Sequence, residues 1–206
     1  FRGAGVVRDA GLLEGNVYMA LELGQGSLAD RLQRPERMPA DAVREVALHI
    51  SEALTYLHAQ GVAHRDVKPG NVFRVGDGWK LGDFGLVRGL EGSIVQSSGV
   101  KGTPLYLAPE VLQGKAGPPS DVWALGVMVH ECLTGAFPFT GATEFELMSK
   151  IAAGEPQIVP GLPSEFEVFV RRCLERSREK RWTANEALVC LGSGGRSEEH
   201  TSELQS

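Results

Sequence analysis

The amino-acid sequence predicts an α+β fold in which helices outweigh strands, and three observations carry that expectation. Val43, Val46, Ala47, Ile50, Leu54 and Leu57 recur at helical spacing between Asp41 and Ala59. Val72-Phe73-Arg74-Val75 and Trp79-Lys80-Leu81 are short alternating runs on either side of Gly76-Asp77-Gly78, a hairpin signature. Val122-Trp123-Ala124-Leu125-Gly126-Val127-Met128-Val129 is apolar nearly all round, as a helix buried on every side must be.

With 206 residues, 42% of them hydrophobic, the chain can bury a sizeable core in one or two compact units. A formal net charge of −5 argues against a dedicated nucleic-acid binder. The 3 cysteines, Cys132, Cys173 and Cys190, are odd in number and form no CxxC pair, so reduced thiols are expected. Neither a signal peptide nor an apolar run long enough to span a bilayer is visible, and a cytoplasmic location is expected.

Taken in order, Phe1-Arg2-Gly3-Ala4-Gly5 opens the chain in mid-pattern, and its N-terminus is expected to be cut. Gly3 and Gly5 fit a turn before the strand Val6-Val7-Arg8 better than a phosphate loop, because a lone GxG is weak. Val17 to Leu23 predicts a buried strand ending at Gly24-Gln25-Gly26, and Ser27 to Leu32 a short helix stopped near Pro35. The helix from Asp41 to Ala59 ends at Gly61 and delivers the chain to His64. His49 and His58 lack partners at metal-site spacing and are expected at the surface or in packing. Residues 86–101 are polar, glycine-bearing and aperiodic, which predicts a mobile loop. Ser120 is expected to cap the apolar helix, with Asp121 in its first turn and Trp123 and Met128 in the core. Helices are predicted from Thr143 to Ala153 and from Ser164 to Glu175. Capping boxes are read at Ser164/Glu167 and Thr183/Glu186.

Residues 64–85 hold the reactive side chains. In His64-Arg65-Asp66-Val67-Lys68-Pro69-Gly70-Asn71 an Asp precedes an Asn by five positions, so one loop can aim both at one point. The hairpin then returns the chain to that point at Asp83-Phe84-Gly85. A loop carboxylate that takes a hydroxyl proton, beside two oxygen ligands for magnesium, is what phosphoryl transfer from a nucleotide requires. Any one of these residues alone would read as a solvated loop charge; the set at this spacing does not.

These stretches closely resemble the catalytic and metal-binding loops of eukaryotic-type serine/threonine protein kinases. Gly102-Thr103-Pro104-Leu105-Tyr106-Leu107-Ala108-Pro109-Glu110, Asp121-Val122-Trp123 and Arg178-Glu179-Lys180-Arg181-Trp182-Thr183 extend the resemblance over most of the chain. It implies a protein-kinase-like fold: mainly the helical large lobe (24–191), with a small-lobe remnant and the start of the hinge in 1–23. Asp66 becomes the base or hydroxyl-orienting group, Lys68 neutralises charge on the transferring phosphate, and Asn71 and Asp83 hold Mg²⁺. Leu21 is the gatekeeper, the backbone around Glu22 and Leu23 meets the adenine edge, and Phe73 or Val72 forms the adenine floor. His64 and Phe84, followed by Gly85, belong to the stack joining the lobes; Asp121 bonds to the catalytic-loop backbone, and Glu110 pairs with Arg181. Lys68 and Thr103 imply a protein substrate with Ser or Thr hydroxyls and ATP as phosphate donor. Arg65 beside Asp66 implies control by a phosphate on the activation segment, at Ser98 or its neighbour Ser97.

The family's glycine-rich nucleotide loop, strand lysine and helix glutamate are expected upstream of residue 1, which predicts an inactive fragment. The rival readings are a pseudokinase scaffold, a small-molecule phosphotransferase and a pure interaction module. The phosphotransferase would lack the Ala-Pro-Glu and Asp-Val-Trp segments, and the interaction module would not need Asp66, Asn71 and Asp83 together. Residues 192–206 predict a disordered tail. Arg196 to Ser206 resembles the conceptual translation of a sequencing adapter, with a natural polar tail as the alternative, so His200 receives no functional weight.

Overall fold

The computed structural model describes residues 7–13, 16–83 and 104–193. Strands β1 (Val7–Leu13) and β2 (Asn16–Leu21) form an antiparallel hairpin, followed by helices α1 (Leu28–Leu32) and α2 (Ala40–Ala59). A second hairpin, β3 (Val72–Val75) and β4 (Gly78–Leu81), precedes α3 (Pro118–Thr134), α4 (Glu144–Ala153), α5 (Ser164–Cys173) and α6 (Ala184–Ser193). Helix α2 packs on α3, α6 and β4, and α3 packs on α5. No described helix is long and apolar enough to cross a membrane.

The helical stripe of α2 becomes its core face. Val43, Val46, Ala47, Ile50 and Leu54 have no exposed surface, and Leu57 packs half-buried at the edge. Gly61 closes the helix at φ +72°, where a side chain would be strained. Helix α3 is buried without a break from Ser120 to His130, as its all-round apolar sequence requires. Gly126 lets α5 approach closely: a Cβ there would lie 2.6 Å from the Cys173 Cβ.

Two expected caps are corrected. Helix α3 starts at Pro118 with Gly117 as N-cap, because Pro118 and Pro119 suit the first turn, where backbone N–H groups lack helical partners. Ser120 therefore sits inside the helix and donates its hydroxyl to Glu110 Oε1 at 2.8 Å. Ser164 is already helical after Pro163 and makes no side-chain cap, while Glu167 turns to Arg171 one turn on, at 2.8 Å. The other box forms: Thr183 N–H donates to Glu186 Oε2 at 2.8 Å and Glu186 N–H to Thr183 Oγ1 at 3.2 Å. Ser27 and Asp30 build a further box, at 2.8 and 3.1 Å, with Asp in place of the usual Glu or Gln. Helix α5 also ends at Cys173, short of Glu175, whose carbonyl accepts from Arg181 Nε at 2.8 Å.

Cross-strand pairing sorts the second hairpin into two faces. Val72 pairs with Leu81 and Arg74 with Trp79, on the face turned to α2; Val72 and Leu81 are 0% exposed and Trp79 is 8%. His49 of α2 accepts the Trp79 backbone N–H at Nδ1, 3.2 Å away. Phe73 pairs with Lys80 on the opposite face.

Candidate active site

The loop after α2 is held from below by one buried carboxylate. Asp121, 1% exposed in the first turns of α3, accepts His64 N–H at 2.8 Å and Arg65 N–H at 2.7 Å. His58 Nε2 lies 2.8 Å from the same carboxylate, a link invisible in sequence because the partners are 63 positions apart. Arg65 adopts φ +68°, uncommon for a residue with a side chain, and the Asp121 bonds hold the backbone there.

That turn presents Asp66. Lys68 Nζ donates to both of its carboxylate oxygens, at 2.9 and 2.7 Å, and Asn71 Nδ2 donates to Oδ2 at 2.7 Å. Asn71 Nδ2 also reaches the Asp66 carbonyl at 2.8 Å, so its amide oxygen is the atom left for a cation. Pro69 opens the short turn Pro69–Asn71 that brings the amide round.

His64 ties this loop to the end of the hairpin. Asp66 N–H donates to His64 Nδ1 at 3.3 Å, so Nε2 carries the proton and donates to the Gly82 carbonyl at 3.0 Å. Gly82 N–H donates to the Asn71 carbonyl at 2.9 Å, which fixes Asp83 beside the same loop; Asp83 itself is exposed with φ +58°. A carboxylate and an amide oxygen are hard ligands of the kind Mg²⁺ takes. Among the described residues no three His, Cys, Asp or Glu side chains form a closed metal cage, so a cation here would complete its shell with phosphate and water oxygens.

Burial holds the His64 and His130 imidazoles below their ordinary pKa. His130, with no exposed surface, lies 2.9 Å from the Ala136 carbonyl and accepts Val159 N–H at Nε2, 3.2 Å away. Both rings are neutral when folded, whereas the unfolded chain protonates them near pH ~6.5. Their stabilising contribution is therefore complete above that pH and declines as pH falls towards the depressed folded values. Glu131 works against this, because burial raises its pKa. The expected result is a smaller fall in melting temperature between pH 7.5 and 5.5 for His130→Gln than for the parent. Parallel slopes would reject the role assigned to His130.

The linker from β2 to α1, residues 22–27, lies along β3 at its far end. Gln25 N–H donates to the Arg74 carbonyl at 2.8 Å, Arg74 N–H to the Gly26 carbonyl at 2.9 Å, and Ser27 bridges Phe73. Leu21 ends β2, Leu23 projects with 91% of its surface exposed, and Glu22 pairs with Lys80 at 2.6 Å. Val72 has no exposed surface and is spent on the core, whereas Phe73 is half-buried on the opposite face of the hairpin. Lys68 also lines a cavity of about 280 Å³ together with Ala29, Leu32, Gly70, Tyr106 and Glu131. Tyr106 donates to Glu131 Oε2 there at 2.5 Å.

Glu110 and Arg181 meet beneath this surface in a bidentate pair of 2.6 and 3.0 Å, with 7% and 0% of their side chains exposed. The guanidinium lies 5.0 Å from the Trp123 ring centroid, and Trp123 stacks on Phe139 at 5.4 Å. Burial alone would raise the Glu110 pKa, but Arg181 and Ser120 hold the carboxyl below the usual range. Phe84, Gly85, Ser97, Ser98 and Thr103 lie outside the described residues.

A family model of the protein kinase domain matches residues 4–190. The chain is 37% identical over 184 residues to serine/threonine-protein kinase PknL of Mycobacterium tuberculosis, covering 85% of this chain and 46% of that protein. It is 34% identical over 192 residues to the probable serine/threonine-protein kinase PknB of Bifidobacterium longum, covering 88% and 28%. Mitogen-activated protein kinase kinase kinase 1 of Arabidopsis thaliana is 36% identical over 196 residues, covering 87% and 32%. The chain thus spans less than half the length of these relatives.

Proposed function

This chain belongs to the protein kinase family, with the fold of the kinase large lobe plus a remnant of the small lobe, and on that premise we propose that the full-length protein transfers the ATP γ-phosphoryl group to Ser or Thr hydroxyls of a protein substrate. The observation that carries this reading is the meeting of Asp66, Lys68 and Asn71 on one loop that His64 ties to Gly82–Asp83. Asp66 orients the substrate hydroxyl and takes its proton, and Lys68 steadies charge on the transferring phosphate. Asn71 and Asp83 would hold Mg²⁺, which when bound neutralises phosphate charge and orients the nucleotide. The backbone at Leu21, Glu22 and Leu23 would meet the adenine edge, with the Phe73 ring beneath it. Thr103 would complete the contact with Asp66 and Lys68, and the cavity beside Lys68 would admit the protein substrate.

We take 1–23 as small lobe and hinge, 24–191 as large lobe and 192–206 as tail, except that Gly192 and Ser193 belong to the last turn of α6 rather than to the tail. Cys132, Cys173 and Cys190 form no disulfide among the described residues, which suits the reducing cytoplasm, where ATP is available. The complete trio of Asp66, Asn71 and Asp83 favours catalysis over the pseudokinase reading. The test incubates the full-length protein with labelled ATP, Mg²⁺ and a generic basic protein, followed by phosphoamino-acid analysis. Phosphoserine or phosphothreonine should appear and vanish with a magnesium chelator. No transfer by the full-length protein would leave the pseudokinase reading. Residues 1–195 alone should show no transfer above an Asp66→Asn control, because the glycine-rich loop and strand lysine of the family have no counterpart among them.

Control by phosphorylation follows from Arg65, which precedes Asp66 and suits an anionic partner. Ser98 and Ser97 are the proposed acceptors. Expressed with phosphatase and then given Mg-ATP, the full-length protein should gain activity while Ser97→Ala/Ser98→Ala stays low. Equal activation of both proteins would remove Arg65 from this role.

A further inference from the structure

One carboxylate in the linker that would hold adenine, that of Glu22, reaches both hairpins. Lys80 Nζ takes Glu22 Oε2 at 2.6 Å and Arg8 of β1 takes Oε1 at 3.3 Å. The two contacts are unequal. The Arg8 side chain is 64% exposed, whereas Lys80 is 15% and Glu22 23% exposed, so Lys80 is the partner shielded from water and salt. It is also the leading cause of the lowered Glu22 pKa.

Its place in the hairpin gives this pair a direction. Phe73 and Lys80 are cross-strand partners on the face away from α2. Phe73 is contacted closely on two sides: a Cβ on Gly24 would lie 3.3 Å from its Cβ, and one on Gly82 3.1 Å from its ring. The linker's far end is stitched to β3 by backbone bonds at Gln25 and Gly26. Its near end, at Glu22, is held to β4 by the Lys80 side chain. From Lys80 the backbone continues through Leu81 and Gly82 into Asp83. One side chain thus connects the segment proposed to meet the base, the aromatic floor and the strand that positions a metal ligand.

We infer that Lys80 is a positioning residue for the nucleotide, fixing through Glu22 the distance between the adenine-holding linker and the Phe73–Asp83 floor. The inference rests on the kinase reading. It concerns ground-state binding, so loss of the pair should act on nucleotide affinity and leave the phosphoryl-transfer step alone.

In the full-length protein, Lys80→Met should raise KM for ATP and the Kd of a fluorescent ATP analogue about five-fold, the worth of one good partly shielded ion pair. Its kcat at saturating ATP, its KM for the protein substrate and its melting temperature should stay near the parent's. Lys80→Arg, which keeps the charge, should recover most of the affinity. Glu22→Gln should resemble Lys80→Met, and the double variant should be no worse than either single. The exposed Lys180→Met serves as control. Unchanged nucleotide affinity in Lys80→Met would overturn the inference and leave the kinase reading standing. Equal losses in KM for both substrates together with a lower melting temperature would also overturn it, as mere structural support. A parent that binds no nucleotide would overturn the kinase reading and this inference together.

Discussion

Asp66→Asn in the full-length protein is expected to lower kcat by about 10²- to 10⁴-fold, the usual contribution of a positioned proton acceptor. The carboxylate sits between Lys68 Nζ, at 2.7 and 2.9 Å, and Asn71 Nδ2, at 2.7 Å. An amide of the same shape keeps one acceptor, turns an N–H₂ towards one of those donors and cannot take a proton. Nucleotide affinity should change little, because the residues assigned to the base are the linker and Phe73 rather than Asp66. Steady-state phosphate transfer with the substrate saturating, beside ATP-analogue binding, separates the two effects. A loss of less than ten-fold in kcat would remove Asp66 from the proton-handling role and return it to loop architecture.

Arg181→Ala is expected to destabilise the domain by roughly 3–5 kcal/mol, because it strands a buried carboxylate. Glu110 would keep only Ser120 among its side-chain partners, while the carbonyls of Glu175 and Pro119 lose donors at 2.8 and 2.7 Å. Trp123 would also lose the cation over its ring. For a domain of this size the melting temperature should fall by about 10 °C. Arg181→Lys, which keeps charge without the bidentate fork, should fall between the parent and alanine. The exposed Arg34→Ala is the comparison. If thermal unfolding of this domain gives the same shift for Arg181→Ala as for Arg34→Ala, the pair is not what holds residues 109–113 against α3.

Much of the fold was legible because periodicity reports burial directly. The stripe from Val43 to Leu54, the hairpin around Gly76-Asp77-Gly78 and the all-apolar run of α3 each specify a local shape and the face it hides. The expected caps failed where local chemistry had competing partners. Ser120 was free to serve Glu110 because two prolines had already started the helix, and Glu167 had Arg171 one turn away. The choice between Val72 and Phe73 could not be made from sequence either. Both are apolar neighbours, and the register with Leu81 and Lys80 decided which faces the core.

The sequence by itself determined the family and grouped the residues proposed to carry the chemistry, since Asp66, Lys68, Asn71 and Asp83 lie within one loop–hairpin unit whose spacing is a local property. The tertiary structure alone decided how that loop is held. His58 and Asp121, Glu22 and Lys80, and Glu110 and Arg181 are separated by 63, 58 and 71 positions. No local period or propensity relates such partners. Packing α2 and α3 together is what places a histidine and a carboxylate under one backbone turn, and folding β4 beneath the linker is what puts an ammonium within reach of Glu22. Long-range pairs of this kind depend on distances that exist only after the core has closed.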